Sequence, residues 1–173
     1  MTAPLTVRAA RPEDVDALLA LIHSAYRGEG SRVGWTTEAD LLDGPRTTVD
    51  LLAADLADPA VTVLVAGDLA GCAAVTFTGD SASFGTFAVR PDAQGTGTGS
   101  VLLAAAEEHA RAHGASTMEM AVLAPREELR AWYGRRGYTP TGETRPFPYG
   151  DERYGVPRRD DLEFVVLTKA LAG

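Results

Sequence analysis

A glycine-rich segment holds the residues whose types and spacing are best suited to binding chemistry. The sequence from Phe87 to Leu103 reads FAVRPDAQGTGTGSVLL. An apolar, β-prone run ends at Arg90, three glycines follow at alternate positions, and an apolar helical run begins near Val101. The backbone N–H groups of such a loop converge at the positive end of a helix dipole. The segment therefore predicts a site for an anion such as a pyrophosphate.

The glycine spacing disfavours two familiar classes of nucleotide-binding protein. A nucleoside triphosphatase loop requires a lysine after its last glycine, whereas Gly99 is followed by Ser100 and Val101. A dinucleotide fingerprint requires G-x-G-x-x-G, and the run from Gly95 to Gly99 places the third glycine one residue early. The anion site therefore belongs to another kind of loop.

A second motif follows further along the chain. Residues Glu128 to Tyr138 read ELRAWYGRRGY, with an aromatic residue before a tyrosine and a glycine before a closing aromatic residue. Pro125 suits the first position of a helix, and Gly137 suits a left-handed cap at its end. The motif therefore predicts a helix that ends just before Tyr138.

The two motifs together resemble the GCN5-related N-acetyltransferase (GNAT) superfamily. The family loop has arginine or glutamine, two residues, glycine, any residue, and glycine or alanine, which Gln94, Gly97 and Gly99 match. The resemblance covers residues 60 to 140 most closely. It implies an α/β (α+β) fold, with a central mixed and largely antiparallel sheet of about seven strands flanked by about four helices. It also implies acetyl-CoA as the cosubstrate.

The resemblance also implies which residues hold the cofactor. In the family, the strand before the loop splays from its neighbour and pairs with the pantetheine arm. The strand and loop positions that match are Phe87, Ala88, Val89, Gln94, Gly95, Thr96, Gly97, Thr98, Gly99 and Ser100. A family asparagine that contacts the arm is missing here, because the chain has Ala124-Pro125-Arg126 at that place.

Tyr133 is the candidate general acid. By resemblance it takes the place of the family tyrosine whose hydroxyl approaches the cofactor sulfur, and a phenol is protonated at neutral pH. The alternative is a core aromatic residue that packs against Leu129, one helical turn earlier.

Glu119 is the candidate general base. An alkylammonium must lose a proton before it attacks a thioester. Glu119 interrupts the apolar run from Thr117 to Val122, whose end lies near the cofactor sulfur if the resemblance holds. Strand alternation offers another explanation, in which Glu119 lies on a solvated face of the sheet. A water chain is a further candidate for the base.

The polar, glycine-containing segment from Arg27 to Gly44 is the candidate acceptor loop, with a short helix expected over Thr37 to Leu42. Within it, Glu38 and Asp40 are suited to attract a cationic amine. Trp35 is suited to wall a pocket or stack on a cation. Solvated loop charges and a core tryptophan are the alternatives for these three residues.

The remaining elements must position these groups. Periodicity predicts a helix from Pro12 to Tyr26. The segment from Arg145 to Asp160 is expected to arch over one end of the sheet. The other predicted helices are Thr48 to Leu56 and Gly97 to His113, and the predicted strands are Leu5 to Ala9, Val61 to Ala66, Cys72 to Thr78, Ser83 to Val89, Ser116 to Leu123 and Asp161 to Lys169.

Composition limits the class of protein and its partners. The 173 residues fit a single GNAT domain over 1–173, and 45% hydrophobic residues suffice for a core. A formal charge of -8 disfavours nucleic acid as a partner.

His109 and His113 lack a third ligand and the zinc-protease glutamate, so no metal is expected. A lone Cys72 and the lack of a leader or spanning segment predict a cytoplasmic protein with no membrane partner.

Three functions are compatible with these observations. The leading one is transfer of an acetyl group from acetyl-CoA to the primary amine of a small molecule, by direct attack and without a metal. A protein N-terminal or lysine acetyltransferase is the nearest alternative. A non-catalytic module that binds or senses acyl-CoA is the alternative from another class. Dimers are common in the family, so a homodimer stays open.

Overall fold

The structure, a computed structural model, describes residues 5–26, 42–43, 47–150, 156–158 and 160–171. Nine strands and four α-helices occur in these residues, namely β1 (Val7–Ala9), α1 (Val15–Tyr26), β2 (Leu42–Asp43), α2 (Val49–Ala57), β3 (Val61–Ala66), β4 (Gly71–Thr78), β5 (Ser81–Val89), α3 (Thr98–Ala112), β6 (Thr117–Leu123), α4 (Glu127–Gly134), β7 (Thr139–Pro146), β8 (Val156–Pro157) and β9 (Glu163–Ala170). In this part of the chain no helix is long and apolar enough to cross a membrane.

Seven strands form one sheet in the order β1-β3-β4-β5-β6-β9-β7. Neighbouring strands run antiparallel except for β5 and β6, which are parallel. The expected fold class, a mixed and largely antiparallel sheet flanked by helices, is confirmed.

Side-chain alternation along the strands builds a core on each face of the sheet. On β4, Ala73 and Val75 join the cluster that packs beneath α3 and α4. Cys72 and Ala74 point the other way and join the cluster beneath α1 and α2. The sheet therefore forms the middle layer between two pairs of helices.

Two sheet elements were not expected from the sequence. The edge strand β7 has prolines, a glycine and charges instead of apolar alternation, and its side chains are mostly exposed. It forms because β9 offers a free edge, and the pairing has a bulge between Pro140 and Thr144. The short strands β2 and β8 pair with each other, at Leu42 with Pro157 and Asp43 with Val156.

The expected helix over Thr37 to Leu42 lies outside the described residues except for Leu42, which is in β2. The segment from Arg145 to Asp160 starts within β7, and its Phe147 is buried against Leu123 and Leu162. That segment is therefore anchored to the sheet at its beginning.

A buried ion pair ties α3 to the far half of the sheet. Glu107 is 6% exposed, and the ammonium group of Lys169 on β9 donates to its two carboxylate oxygens at 2.8 and 3.0 Å. The ammonium also lies 5.6 Å from the ring centroid of Tyr138, just after α4. The pair thus fixes the helix that follows the glycine loop relative to the end of α4.

We predict that Lys169→Met lowers the free energy of unfolding by about 3 kcal/mol, because the Glu107 carboxylate then stays buried without its cation. Adding Glu107→Met should restore most of this loss, since two apolar side chains replace the pair. Glu108→Gln, which removes an exposed pair with Arg111 on the same helix, should cost less than about 1 kcal/mol. Urea unfolding measures all three. A double variant no more stable than Lys169→Met would contradict the prediction.

Candidate active site

The glycine loop connects β5 to α3 and folds back on the end of the strand. Gly95 and Gly97 have φ values of +81° and +92°, which favour glycine, and Gly97 caps the start of α3. The side-chain amide of Gln94 donates to the carbonyl oxygen of Val89 at 3.1 Å. This bond holds the loop against the strand that precedes it.

The two loop threonines are engaged within the loop itself. The hydroxyl of Thr96 donates to the carbonyl oxygen of Ala93, and the Thr96 and Thr98 hydroxyls lie 3.0 Å apart. The first N–H groups of an α-helix have no partner within the helix. The start of α3 therefore offers backbone donors at the positive end of its dipole.

Gly99 lies in a tightly packed place. A Cβ at this position would lie 3.1 Å from Cζ of Phe87 and 3.4 Å from Cζ2 of Trp132. The absent side chain lets the first turn of α3 approach both β5 and α4 closely.

A cavity of about 340 Å³ lies beside this loop. It is bounded by the loop, by the ends of α1 and β5, and by α4 with its flanking residues. Its lining residues are Ala25, Phe87, Val89, Gln94, Gly95, Gly97, Gly99, Ser100, Arg126, Leu129, Trp132, Arg135 and Arg136.

Three arginines contribute positive charge to this cavity. Arg126 is 4% exposed, while Arg135 and Arg136 follow α4. Arg136 donates to the Ser100 hydroxyl at 2.8 Å and to the Trp132 carbonyl oxygen at 3.0 Å. Its guanidinium carbon lies 3.6 Å from the centroid of the Trp132 ring. Burial and the neighbouring Arg135 lower the pKa of Arg136, but an arginine stays charged.

These arginines were not among the predicted cofactor-binding residues. Arg135 and Arg136 read in the sequence as helix-end charges that complement the dipole, which is the commoner role of such residues. The sequence feature that could have indicated their role is the basic pair directly after the aromatic motif. Only the structure shows that this pair borders the glycine loop, through the bond from Arg136 to Ser100 at the start of α3.

Strands β5 and β6 separate next to the cavity. They pair only from Ser81 with Thr117 to Ser83 with Glu119, although β5 continues to Val89 and β6 to Leu123. Beyond Ser83, the edge of β5 that faces β6 is therefore not paired with the described part of that strand. Backbone groups along this edge are available to a bound extended chain.

A bulge bends β5 at the point of separation. The register with β4 shifts between Cys72 and Ala74, and Thr86 has a φ of +49°. Such a value is strained for a β-branched residue, at a cost on the order of 1–3 kcal/mol. The Cys72 thiol donates to the Thr86 carbonyl oxygen at 3.4 Å, which satisfies one backbone group of the bulge.

The residues before the loop divide between the two faces of the sheet. Phe87 and Val89 line the cavity, whereas Ala88 packs in the opposite cluster beneath α1. Of the ten predicted cofactor-binding residues, Ala88, Thr96 and Thr98 do not line the cavity. Any contribution of these three to binding would come from their backbone.

Tyr133 lies one layer behind the cavity wall. It is 3% exposed, and its ring centroid is 6.3 Å from Phe87 and 5.2 Å from Trp132, which both line the cavity. It also contacts Phe84 and Tyr138. Tyr133 is thus part of an aromatic cluster next to the site, and it is close to the end of β5.

Glu119 lies where β5 and β6 begin to separate. Its neighbours Met118 and Met120 point into the core beneath α3 and α4, so Glu119 faces the other side of the sheet. Its carboxylate accepts a bond of 3.0 Å from Nη2 of Arg145 on β7. The predicted base is therefore half-buried and ion-paired. Trp35, Glu38 and Asp40 lie outside the described residues.

Comparisons with known proteins agree with this architecture. Residues 22–138 match the model of the acetyltransferase (GNAT) family. No curated protein matches the chain in sequence.

Solved structures share the fold at low identity. The ribosomal-protein-S18-alanine N-acetyltransferase of Escherichia coli superposes with a TM-score of 0.72 at 17% identity, over 98% of this chain and 96% of that one. YncA of Salmonella typhimurium, solved with acetyl-CoA, gives 0.71 at 21% identity over 99% and 96%. N-acetylglutamate synthase of Neisseria gonorrhoeae, solved with coenzyme A and N-acetyl-glutamate, gives 0.66 at 22% identity over 100% and 36%.

We predict that Gly97→Val weakens coenzyme A binding by at least tenfold, because the side chain strains the left-handed backbone and blocks close approach of a pyrophosphate. Gly114→Val is the matched control, since Gly114 follows the other end of α3, has a similar φ of +86° and also has open space around it. Both variants should lose similar stability, and only Gly97→Val should lose affinity in calorimetry. If folded Gly97→Val binds coenzyme A with unchanged affinity, the glycine loop is not part of the coenzyme A site.

Proposed function

The chain belongs to the GNAT acetyltransferase family, and we propose that it transfers an acetyl group from acetyl-CoA to the primary amine of a small molecule. One observation carries this proposal. The glycine loop, the arginines that flank α4 and the separation of β5 from β6 all border one cavity. An anion site and an open strand edge are what a phosphorylated cofactor with an extended arm requires.

The donor set of the cavity fits coenzyme A. The backbone donors at the start of α3, with Arg135 and Arg136, would hold the phosphates. The open edge of β5 would hold the amide groups of the pantetheine arm. Arg126 lies where the family has an asparagine, and its guanidinium can donate to the arm in place of that amide.

The reaction needs one base and one acid. The acceptor ammonium gives a proton to Glu119, and the free amine nitrogen forms a bond to the thioester carbonyl carbon. The carbon–sulfur bond then breaks, a second proton leaves the nitrogen, and Tyr133 protonates the thiolate before regaining a proton itself. The sum is one amide, one thiol and one proton released to solvent. No covalent enzyme intermediate forms.

The position of Tyr133 supports its role as the acid. Burial against Phe87 excludes water from the phenol, and the ring belongs to the same helix that lines the cavity through Leu129 and Trp132. A proton donor held there is kept out of bulk water, one aromatic layer from the cavity.

The connection between two loops supports a small acceptor. β2 belongs to the segment that follows α1, and β8 belongs to the segment that follows β7. Their pairing joins two segments expected near the acceptor, which favours an enclosed site over an open peptide groove. Trp35, Glu38 and Asp40 precede β2 and are proposed to contact the acceptor. The fold itself leaves this choice open, because one neighbour is named for a protein alanine and another was solved with N-acetyl-glutamate.

A thiol-release assay with acetyl-CoA and a panel of amines tests the proposal. The panel contains monoamines, diamines, amino acids, amino sugars and a peptide with a free N-terminus. Amine-dependent thiol release with formation of the matching amide is the expected result. Coenzyme A binding without release for any amine would favour the non-catalytic module, and release only with the peptide would favour a protein acetyltransferase.

We predict that Tyr133→Phe lowers kcat by about 10² to 10⁴, the usual contribution of a positioned general acid. The ring and its packing remain, so coenzyme A affinity should be unchanged and stability should fall by no more than about 1 kcal/mol. Tyr138→Phe is the control, because it removes a hydroxyl from the neighbouring ring of the same aromatic cluster. If Tyr133→Phe keeps the wild-type kcat under conditions where the chemical step limits turnover, Tyr133 is not the general acid and serves only in packing.

Glu119→Gln should lower kcat/KM at neutral pH by about 10² or more, because the acceptor then loses its base. The ratio of wild-type to variant kcat/KM should fall as the pH rises toward the acceptor pKa of about 10, since more of the amine is already deprotonated. Rate measurements from pH 6 to 10 check this. A deficit that does not vary with pH would contradict the assignment of Glu119 as the base.

A further inference from the structure

The ion pair between Glu119 and Arg145 lies on the face of the sheet that the helices leave partly uncovered. α1 and α2 pack over β3, β4 and β5 on this face. Glu119 of β6 and Arg145 of β7 occupy its other half, where Ala121 is exposed. The pair therefore borders the gap between β5 and β6 from the side opposite α3 and α4.

The geometry of the pair allows it to exchange partners. The side chains of Arg145 and Glu119 are 42% and 32% exposed, so the pair is in contact with solvent. Such half-exposed pairs contribute little to stability and are readily replaced by contacts to a ligand.

Arg145 has capacity for a further anion. It uses Nη2 toward Glu119 and Nε toward Glu143, each at 3.0 Å. A guanidinium has five N–H donors, and among the described residues these two bonds engage two of them. The planar fork matches the two oxygens of a carboxylate or phosphonate.

Opposite charges side by side are complementary to an acceptor that carries both signs. A simple monoamine that approached Glu119 would compete with Arg145 for the carboxylate and would also meet the repulsion of the guanidinium. An acceptor with an amine and an anion a few bonds apart would instead form two ion pairs with the protein, its ammonium with Glu119 and its anion with Arg145. These two pairs would replace the single pair between Arg145 and Glu119.

We infer that the acceptor is an amphoteric molecule of the amino acid type, with its ammonium group on Glu119 and its carboxylate or phosphonate on Arg145. This inference rests on the proposed function and specifies its substrate class. Arg145 is then a specificity-determining residue, and it takes no part in proton transfer.

Matched sets of acceptors test the inference. Each set contains an amino acid, its methyl ester and the amine left when the carboxylate is removed, and the sets include α-amino, ω-amino and aminophosphonate compounds. We expect at least tenfold higher kcat/KM for the anionic member of the set that is used best. Preference for the decarboxylated amine would overturn the inference while leaving the proposed function standing. Absence of amine-dependent thiol release with every compound of the sets would overturn both.

Variants of Arg145 separate recognition from structure. Arg145→Gln should lower kcat/KM for the anionic acceptor by 10- to 100-fold, mainly through KM, and should raise the value for the ester and the decarboxylated amine, which no longer meet the guanidinium at Glu119. Arg145→Lys should recover part of the loss because it keeps the charge. Glu143→Gln, which removes the other partner of Arg145, should stay within threefold of wild type for every acceptor. An equal loss for all acceptors in Arg145→Gln would overturn the inference.

Discussion

The separation of β5 from β6 is the constraint on which the rest of the site depends. Two parallel strands that pair over three residues and then diverge leave backbone groups open inside a sheet, where unpaired groups are costly. The bulge at Thr86 lies in the part of β5 that no longer pairs with β6, and β5 stays paired with β4 on both sides of the bulge. Backbone strain at Thr86 thus accompanies a strand edge that stays open toward the cavity.

The helix that follows β6 closes the cavity and supplies its positive charge. Trp132 and Tyr133 pack on the end of β5 through Phe87, and Arg136 reaches across to Ser100 at the start of α3. These contacts link both walls of the anion site through one helix. They also concentrate cationic side chains at one place in a chain of formal charge -8. A local field of this kind favours an anionic ligand independently of the net charge.

Local sequence patterns were sufficient to predict most of the helices and strands. Apolar runs bounded by turn residues predicted β3, β4 and β6, and helical spacing with end signals such as Gly137 predicted α3 and α4 within a few residues. The glycine loop was also predictable, because left-handed backbone at Gly95 and Gly97 restricts the residue type. The edge strand β7 was not, since its pairing comes from the exposed edge of β9 and its own residues carry no strand pattern.

The sequence by itself determined the family, the glycine loop before α3 and the helix that carries Tyr133, because each depends on residues close together in the chain. Only the tertiary structure decided which distant groups come into contact. It brought Arg136 to Ser100 and Arg145 to Glu119, and it placed Tyr133 behind Phe87 instead of on the cavity wall. Such contacts depend on how helices and strands pack, and packing is set by the whole core and not by the spacing of residues within one segment.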